Sequence, residues 1–327
     1  MLPTKELVKC ATSIQSFVGN AKLMETIFGW ILIRSQNALG RQKFRELLSL
    51  LMVVTSTACA QDADALQARY SELKSRLANS PFHHPLILES AQTADKLNGD
   101  VFSVVEQPFA VVREALQSVD HWCDILILHL NVKRCKAIRS SGANRLSLAI
   151  GTKNDQAVAD AYALEFAYSI PATSPGYLQV RLNADEGPLR TKNYSLQLQA
   201  VAIDARHSFI HMSYAFAFGL PARIAMKAYL ATLGREKVGF SIVNHQPDGR
   251  PVFIRGALGL VERNTMRYYL AIDAYLDAYI LPPADQTERR LIGWFASTEQ
   301  YATQLHELAR DEYLTMKRKE IWRQETE

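Results

Sequence analysis

Residues Ser208 to Gly234, SFIHMSYAFAFGLPARIAMKAYLATLG, change their hydrophobic period from two to about 3.6 within a single stretch. A chain built this way runs a strand directly into a helix. Ile210, Met212, Tyr214, Phe216 and Phe218 share one parity, and His211, Ser213, Ala215 and Ala217 share the other. One face of the strand is therefore greasy and the other is small and partly polar. Gly219 ends the strand, and Pro221 suits the first turn of a helix, where its missing N–H costs nothing. Gly234 supplies a stop. Ala222, Ala225, Ala228 and Ala231 recur every three residues. This small-residue stripe leads us to expect that the Pro221 helix is the one the sheet encloses.

Upstream, period-two runs separated by turn residues predict strands at Gly99–Glu106, Ile127–Lys136, Arg145–Gly151, Tyr162–Ile170, Tyr177–Asn183, Tyr194–Ile203 and Phe209–Phe218. Short connections between successive strands imply an antiparallel meander. Pro108 opens a helical stretch between the first two of these strands, and Asp64–Leu77 reads as an amphipathic helix with Leu66, Tyr70, Leu73 and Leu77 on one face. Beyond Gly234, Val238–Gly256 reads as a hairpin turning at His245–Gly249. Helical patterns follow at Ala257–Ile280 and Gln286–Trp322, expected to pack on the sheet or to extend the mouth of a pocket.

Strand, helix, about six antiparallel strands and then a helix is an order that, with the phrases GDVFSVVEQPFAVVREAL and SYAFAFGLPARIAMKAYL, resembles the START or polyketide-cyclase-like (SRPBCC) helix-grip superfamily from about Leu97 to Gly234. The resemblance implies an α+β fold in which a curved antiparallel sheet grips a long C-terminal helix, with a hydrophobic or amphipathic ligand trapped between them. Some members are cyclases or hydrolases. The superfamily has no fixed catalytic residues, so no catalytic residue carries over and no cofactor is expected. The organisation expected is a leader at 1–60, an N-terminal helix and linker at 61–96, a helix-grip domain at 97–240, and a hairpin with C-terminal helices at 241–327.

Parity places Leu130, Leu148, Phe166, Tyr168, Met212, Tyr214 and Phe216 on the gripping face, where they are the candidate ligand contacts. The opposite parity collects His129, Asn131, Lys133, Arg145, Glu165, Gln179, His211 and Ser213. Mixed charges of this kind mark a solvated face. Its functional alternative is an acid–base site using His129 or His211 with Glu165. Arg263 and Arg267, four apart on one helix face, are candidates to receive a carboxylate or phosphate head group at the pocket mouth, against the alternative of solvated arginines.

Arg41–Gln61, RQKFRELLSLLMVVTSTACAQ, has the basic, apolar and A-x-A parts of a secretory signal, with cleavage expected between Ala60 and Gln61. A lipid anchor on Cys59 is the second reading. The forty residues before Arg41 point to a start downstream of Met1, or else to an amphipathic segment along Leu23, Ile27, Trp30 and Ile31. With the leader removed, Cys123 and Cys135 are the remaining cysteines, and an oxidising compartment would join them. A cytosolic location would leave two buried thiols.

Seven basic and three acidic residues in 1–60 account for the whole net charge of +4, so the rest is formally neutral and no nucleic-acid partner is expected. His83-His84 lacks Cys or carboxylate at ligand spacing, so no metal is expected. The leading functional expectation is an exported, periplasmic protein that binds a hydrophobic or lipid-like molecule. The alternatives are a cell-envelope interaction protein docking through its C-terminal helices, and a helix-grip enzyme.

Overall fold

The computed structural model describes residues 62–82, 84–232 and 234–326. The leader, the Ala60–Gln61 cleavage position, Cys59 and His83 lie outside the described residues. The first helix, α1 (62–78), buries Leu66, Leu73 and Leu77, three of the four residues assigned to its apolar face. They pack against Ile87, Phe102, Tyr177 and Phe209 of the sheet. The sheet face read as solvated is thus partly covered.

Eight antiparallel strands form the sheet: β1 (Leu86–Gln92), β2 (Lys96–Val105), β3 (Val132–Ile138), β4 (Asn144–Ile150), β5 (Tyr162–Ser174), β6 (Tyr177–Glu186), β7 (Thr191–Ala202) and β8 (Ser208–Phe218). Their spatial order is β1-β2-β8-β7-β6-β5-β4-β3. The run from β3 to β8 is the expected meander, and β2 closes onto β8 with Gly99 opposite Tyr214 and Val101 opposite Met212. Strand β1 is an addition to the expected set.

Two short helices, α2 (Phe109–Leu116) and α3 (Val119–Leu126), replace the single helix expected after Pro108, because Ser118 between them is extended. The strand expected from Ile127 begins at Val132, since 127–131 is a turn. The run ILILHL, Ile125–Leu130, is buried throughout, so its apolar content carried no period with which to tell a helix end from a strand. His129 accordingly lies in the interior rather than on a solvated face. Lys133, also expected on the wet face, is fully buried.

The gripped helix is not the Pro221 helix. That helix, α4 (Leu220–Ala231), buries Ala222 and leaves Leu220 and Ile224 more than half exposed. Alanines three apart drift about 60° per step on a helix of 3.6 residues per turn, so the stripe winds about half-way round instead of holding one face. The sheet closes instead on α5 (Gly256–Tyr279), which packs across β1, β2 and β8 and buries fifteen of its 24 residues. The fold is therefore α+β, a curved antiparallel sheet gripping a long C-terminal helix. It draws on residues beyond both ends of the 97–240 range, since β1 precedes it and α5 follows it. The expected hairpin is present as β9 (Ile242–His245) and β10 (Pro251–Phe253). The expected helix at Gln286–Trp322 is three helices, α6 (Pro283–Glu299), α7 (Ala302–Leu305) and α8 (Arg310–Thr326).

Gly99 sets how near α5 comes to the sheet. A Cβ at this position would stand 2.1 Å from Thr265 Oγ1, whose hydroxyl donates to Val261 O at 2.8 Å. Gly99→Val is expected to cost about 1–3 kcal/mol through overpacking, with part recovered by Thr265→Ala. Urea unfolding checks both, and an unchanged midpoint for Gly99→Val would count against this close approach.

Candidate functional site

Directly beneath α5 the sheet is filled. Val180, Leu182, Leu198 and Met212 interlock with Met266, Leu270 and Ala271 in the main core, each essentially without solvent contact. Leu130, Leu148, Phe166 and Tyr168 belong to the same core, and the Tyr168 hydroxyl donates to Gln117 O at 2.7 Å. Tyr214 and Phe216 belong to a separate cluster with Leu97, Phe218, Ala222 and Val261, joined by the partly buried Tyr194, Met226 and Tyr268. The residues grouped by parity are thus divided between a packed core and a smaller aromatic cluster under α4.

In that cluster Tyr194 stacks on Phe216 at 5.4 Å, and Tyr214 meets Tyr268 at 5.0 Å. Tyr268 also stacks on His129 at 4.8 Å. Burial raises the pKa of all three phenols, and their proximity to one another raises those of Tyr214 and Tyr268 further. They stay neutral hydroxyls at any physiological pH. The cover above them is held by few bonds: Arg223 Nη2 donates to Ala94 O at 2.5 Å, and the Tyr229 side chain hydrogen-bonds Arg263.

Arg263 and Arg267 are buried, not solvated. Arg263 Nη1 donates to Val238 O at 3.0 Å. Arg267 Nη2 donates to Glu307 Oε1 at 2.9 Å and to Leu305 O at 3.3 Å. Lys153 and Lys237 reach the same Glu307 carboxylate at 2.5 and 3.0 Å. Burial works against the Glu307 charge, but Lys153 and Arg267 outweigh it and hold the carboxyl below its ordinary range. Burial, then Arg267, brings Lys153 down to about 8. His129 falls well below its ordinary value through burial and then through Arg267 and nearby lysines, so it is neutral. Glu262, fully buried, accepts from Phe240 N, Ser241 N, Ser241 Oγ and Ser90 Oγ.

The acid–base alternative is not assembled. His211 lies on the sheet face away from α5, with Nε2 2.9 Å from Asp100 Oδ1 and its ring on Phe102. Glu165 pairs with Arg145, both about half exposed, and His129 is in the interior. An open trough of about 660 Å³ between Asn154–Asp155 and α8 is lined by none of the expected contacts, and Lys319 bridges it to Asp155. Among the described residues no His, Cys, Asp and Glu side chains group to hold a metal, and no helix is long and apolar enough to cross a membrane. Lys153, Lys237 and Glu307, in connections without a pattern of their own, escaped the sequence reading, and Tyr194, inside β7, was read only as the start of a strand.

No protein-family model matches the chain, and neither does any curated protein. Among solved structures it is similar to the Zhui aromatase/cyclase from Streptomyces sp. R1128, at 15% identity over 42% of this chain and 85% of that one, with a TM-score of 0.29. It is also similar to norcoclaurine synthase from Thalictrum flavum, at 11% identity over 44% and 90%, TM-score 0.31. Human STARD10 aligns at 9% identity over 46% and 69%, TM-score 0.30. All three have helix-grip folds. The fold of this chain rests on its own strand order and gripped helix.

Proposed function

We propose that this protein binds a hydrophobic or lipid-like small molecule non-covalently beneath α4, among Tyr194, Tyr214, Phe216 and Tyr268. The observation that carries the reading is a cluster of five aromatic side chains, Phe218 with these four, roofed by a helix that buries a single residue of its own. A helix so lightly packed lifts at little cost, which is what a cover over a binding space requires. A ten-carbon chain would contribute about 8 kcal/mol on burial, before the cost of association. Export to the periplasm is part of the proposal, supported by the signal-like segment 41–61 and by the bonded pair Cys123–Cys135.

The binding test is organic extraction of the purified protein with mass spectrometry, alongside titration with the neutral dye Nile red. The expected result is an extractable apolar molecule, dye uptake by the stripped protein, and loss of uptake in Met226→Trp, whose larger side chain would occupy the position proposed for the ligand. A protein that yields nothing and takes up no dye has no such site.

A further inference from the structure

We infer that the bound molecule carries an anionic head, a carboxylate or a phosphate, received by Arg267 and His129 with Lys153 and Lys237 at the rim. This rests on the ligand proposed beneath α4 and assigns the polar end of that site. Two observations carry it, and the first is a pair of buried donors without acceptors. Arg267 Nε and His129 Nε2 have no hydrogen-bond partner among the described residues. The backbone N–H of Asn131 donates to His129 Nδ1 at 3.2 Å, so the single proton of the neutral ring sits on Nε2. Both orphans are therefore N–H groups, and Arg267 directly precedes Tyr268, whose ring stacks on His129 at 4.8 Å. Buried donors of this kind are rare unless an absent acceptor completes them.

The second observation is charge. Arg263, Arg267, Lys153 and Lys237 face the carboxylates of Glu262 and Glu307. Glu262 is engaged by two backbone N–H groups and two serines, and Glu307 is shared by three cations. Two positive charges are left without a counter-charge, with both arginines buried and both lysines partly exposed, an arrangement that an incoming anion relieves. Tyr268 joins this pole to the aromatic cluster, its ring 4.8 Å from that of His129 and 5.0 Å from that of Tyr214.

Calorimetric titration of the stripped protein with decanoate, decyl phosphate, decanol and inorganic phosphate tests the assignment. At least one of the two anionic amphiphiles is expected to bind tenfold or more tightly than decanol, and whichever is tighter identifies the head. Lys153→Met should shrink that ratio at least threefold. Glu307→Gln should enlarge it, because it frees three cations; a residue that merely held the fold would not produce this opposite sign. Thermal unfolding of each variant shows that it is folded, and Arg267→Lys serves as a charge-preserving variant that removes the Nε donor. Equal binding of decanoate, decyl phosphate and decanol would overturn the anionic head while leaving the hydrophobic site in place. Inorganic phosphate bound by the wild type and lost in Arg267→Lys would support the anion site even where no amphiphile binds. Silence from all four probes would overturn both.

Discussion

Glu320→Ala is expected to lower the stability of the folded chain by about 3–5 kcal/mol in urea or guanidinium unfolding, because it strips the counter-charge from two buried ammonium groups. Glu320, Lys133 and Lys317 are each without solvent exposure. Lys317 Nζ donates to Glu320 Oε2 at 2.7 Å and to the carbonyls of His129 and Val132, both at 2.8 Å. Lys133 Nζ lies 3.2 Å from Glu320 Oε1, an ion pair without hydrogen-bond geometry, and donates to Leu130 O and Asn154 O. Glu320→Gln keeps the shape and one acceptor, so its loss should be smaller. The sign with pH is opposite to that of an ordinary salt bridge. Burial brings Lys317 to about 8 against Glu320's pull, below its ordinary 10.5, so holding it charged subtracts from stability below pH 8. That penalty fades between pH 8 and 10.5. Without Glu320 the lysine gives up its proton at lower pH, and the deficit of Glu320→Ala should narrow as pH rises from neutrality. A deficit below 1 kcal/mol at pH 7 would mean that the triad is not closed in solution.

The same triad ties the C-terminal helix to the turn that carries His129. Helix α8 lies along β3, an edge strand whose free N–H groups would otherwise invite pairing with another chain. Gln324 Oε1 accepts from Cys135 N at 2.8 Å, and the Tyr313 hydroxyl donates to Leu128 O at 3.0 Å. These bonds, with those of Lys317, fix the 127–131 turn and so aim His129 at Tyr268. A tail that reads in sequence as an appendage thus positions one of the two orphan donors.

Period two was readable wherever both neighbours of a strand were also strands. The expected Arg145–Gly151 and Phe209–Phe218 correspond to β4 and β8 to within a residue, because one face of each is buried more deeply than the other, which is covered only in part. Strand β1, LILESAQ, starts with three apolar residues in a row and then turns polar, so alternation never shows. The gripped helix was obscured by its own buried charges. Glu262, Arg263 and Arg267 are buried on α5, and their charges broke the apolar stripe that would have marked it as the central element. The alanine stripe of α4, free of such charges on its small residues, looked the better candidate. Lys153, Lys237 and Glu307 come from three separate connections, and charged residues in connections read as solvated until the fold brings them to one carboxylate.

Breaking the bond between Cys123 and Cys135 is expected to cost about 3 kcal/mol, the chain-entropy value for a loop of this size. The two residues are twelve apart with Cα atoms 5.2 Å from each other, and they tie α3 to β3 around the turn that carries His129. Cys123→Ala/Cys135→Ala and wild type in reductant should therefore lose similar stability, and reductant should do nothing further to the double variant. The turn has its own bonds, since Asn131 Nδ2 donates to Gly151 O and Gly151 N donates to Asn131 O, both at 2.7 Å. Its native geometry should accordingly survive reduction, with the cost falling on the freedom gained by the unfolded chain. Binding of decanoate, measured well below the unfolding midpoint, should then change less than twofold between oxidised and reduced protein. A large loss of binding at unchanged stability would instead show that the bond holds His129 in place directly, and would move the disulfide from the scaffold into the site.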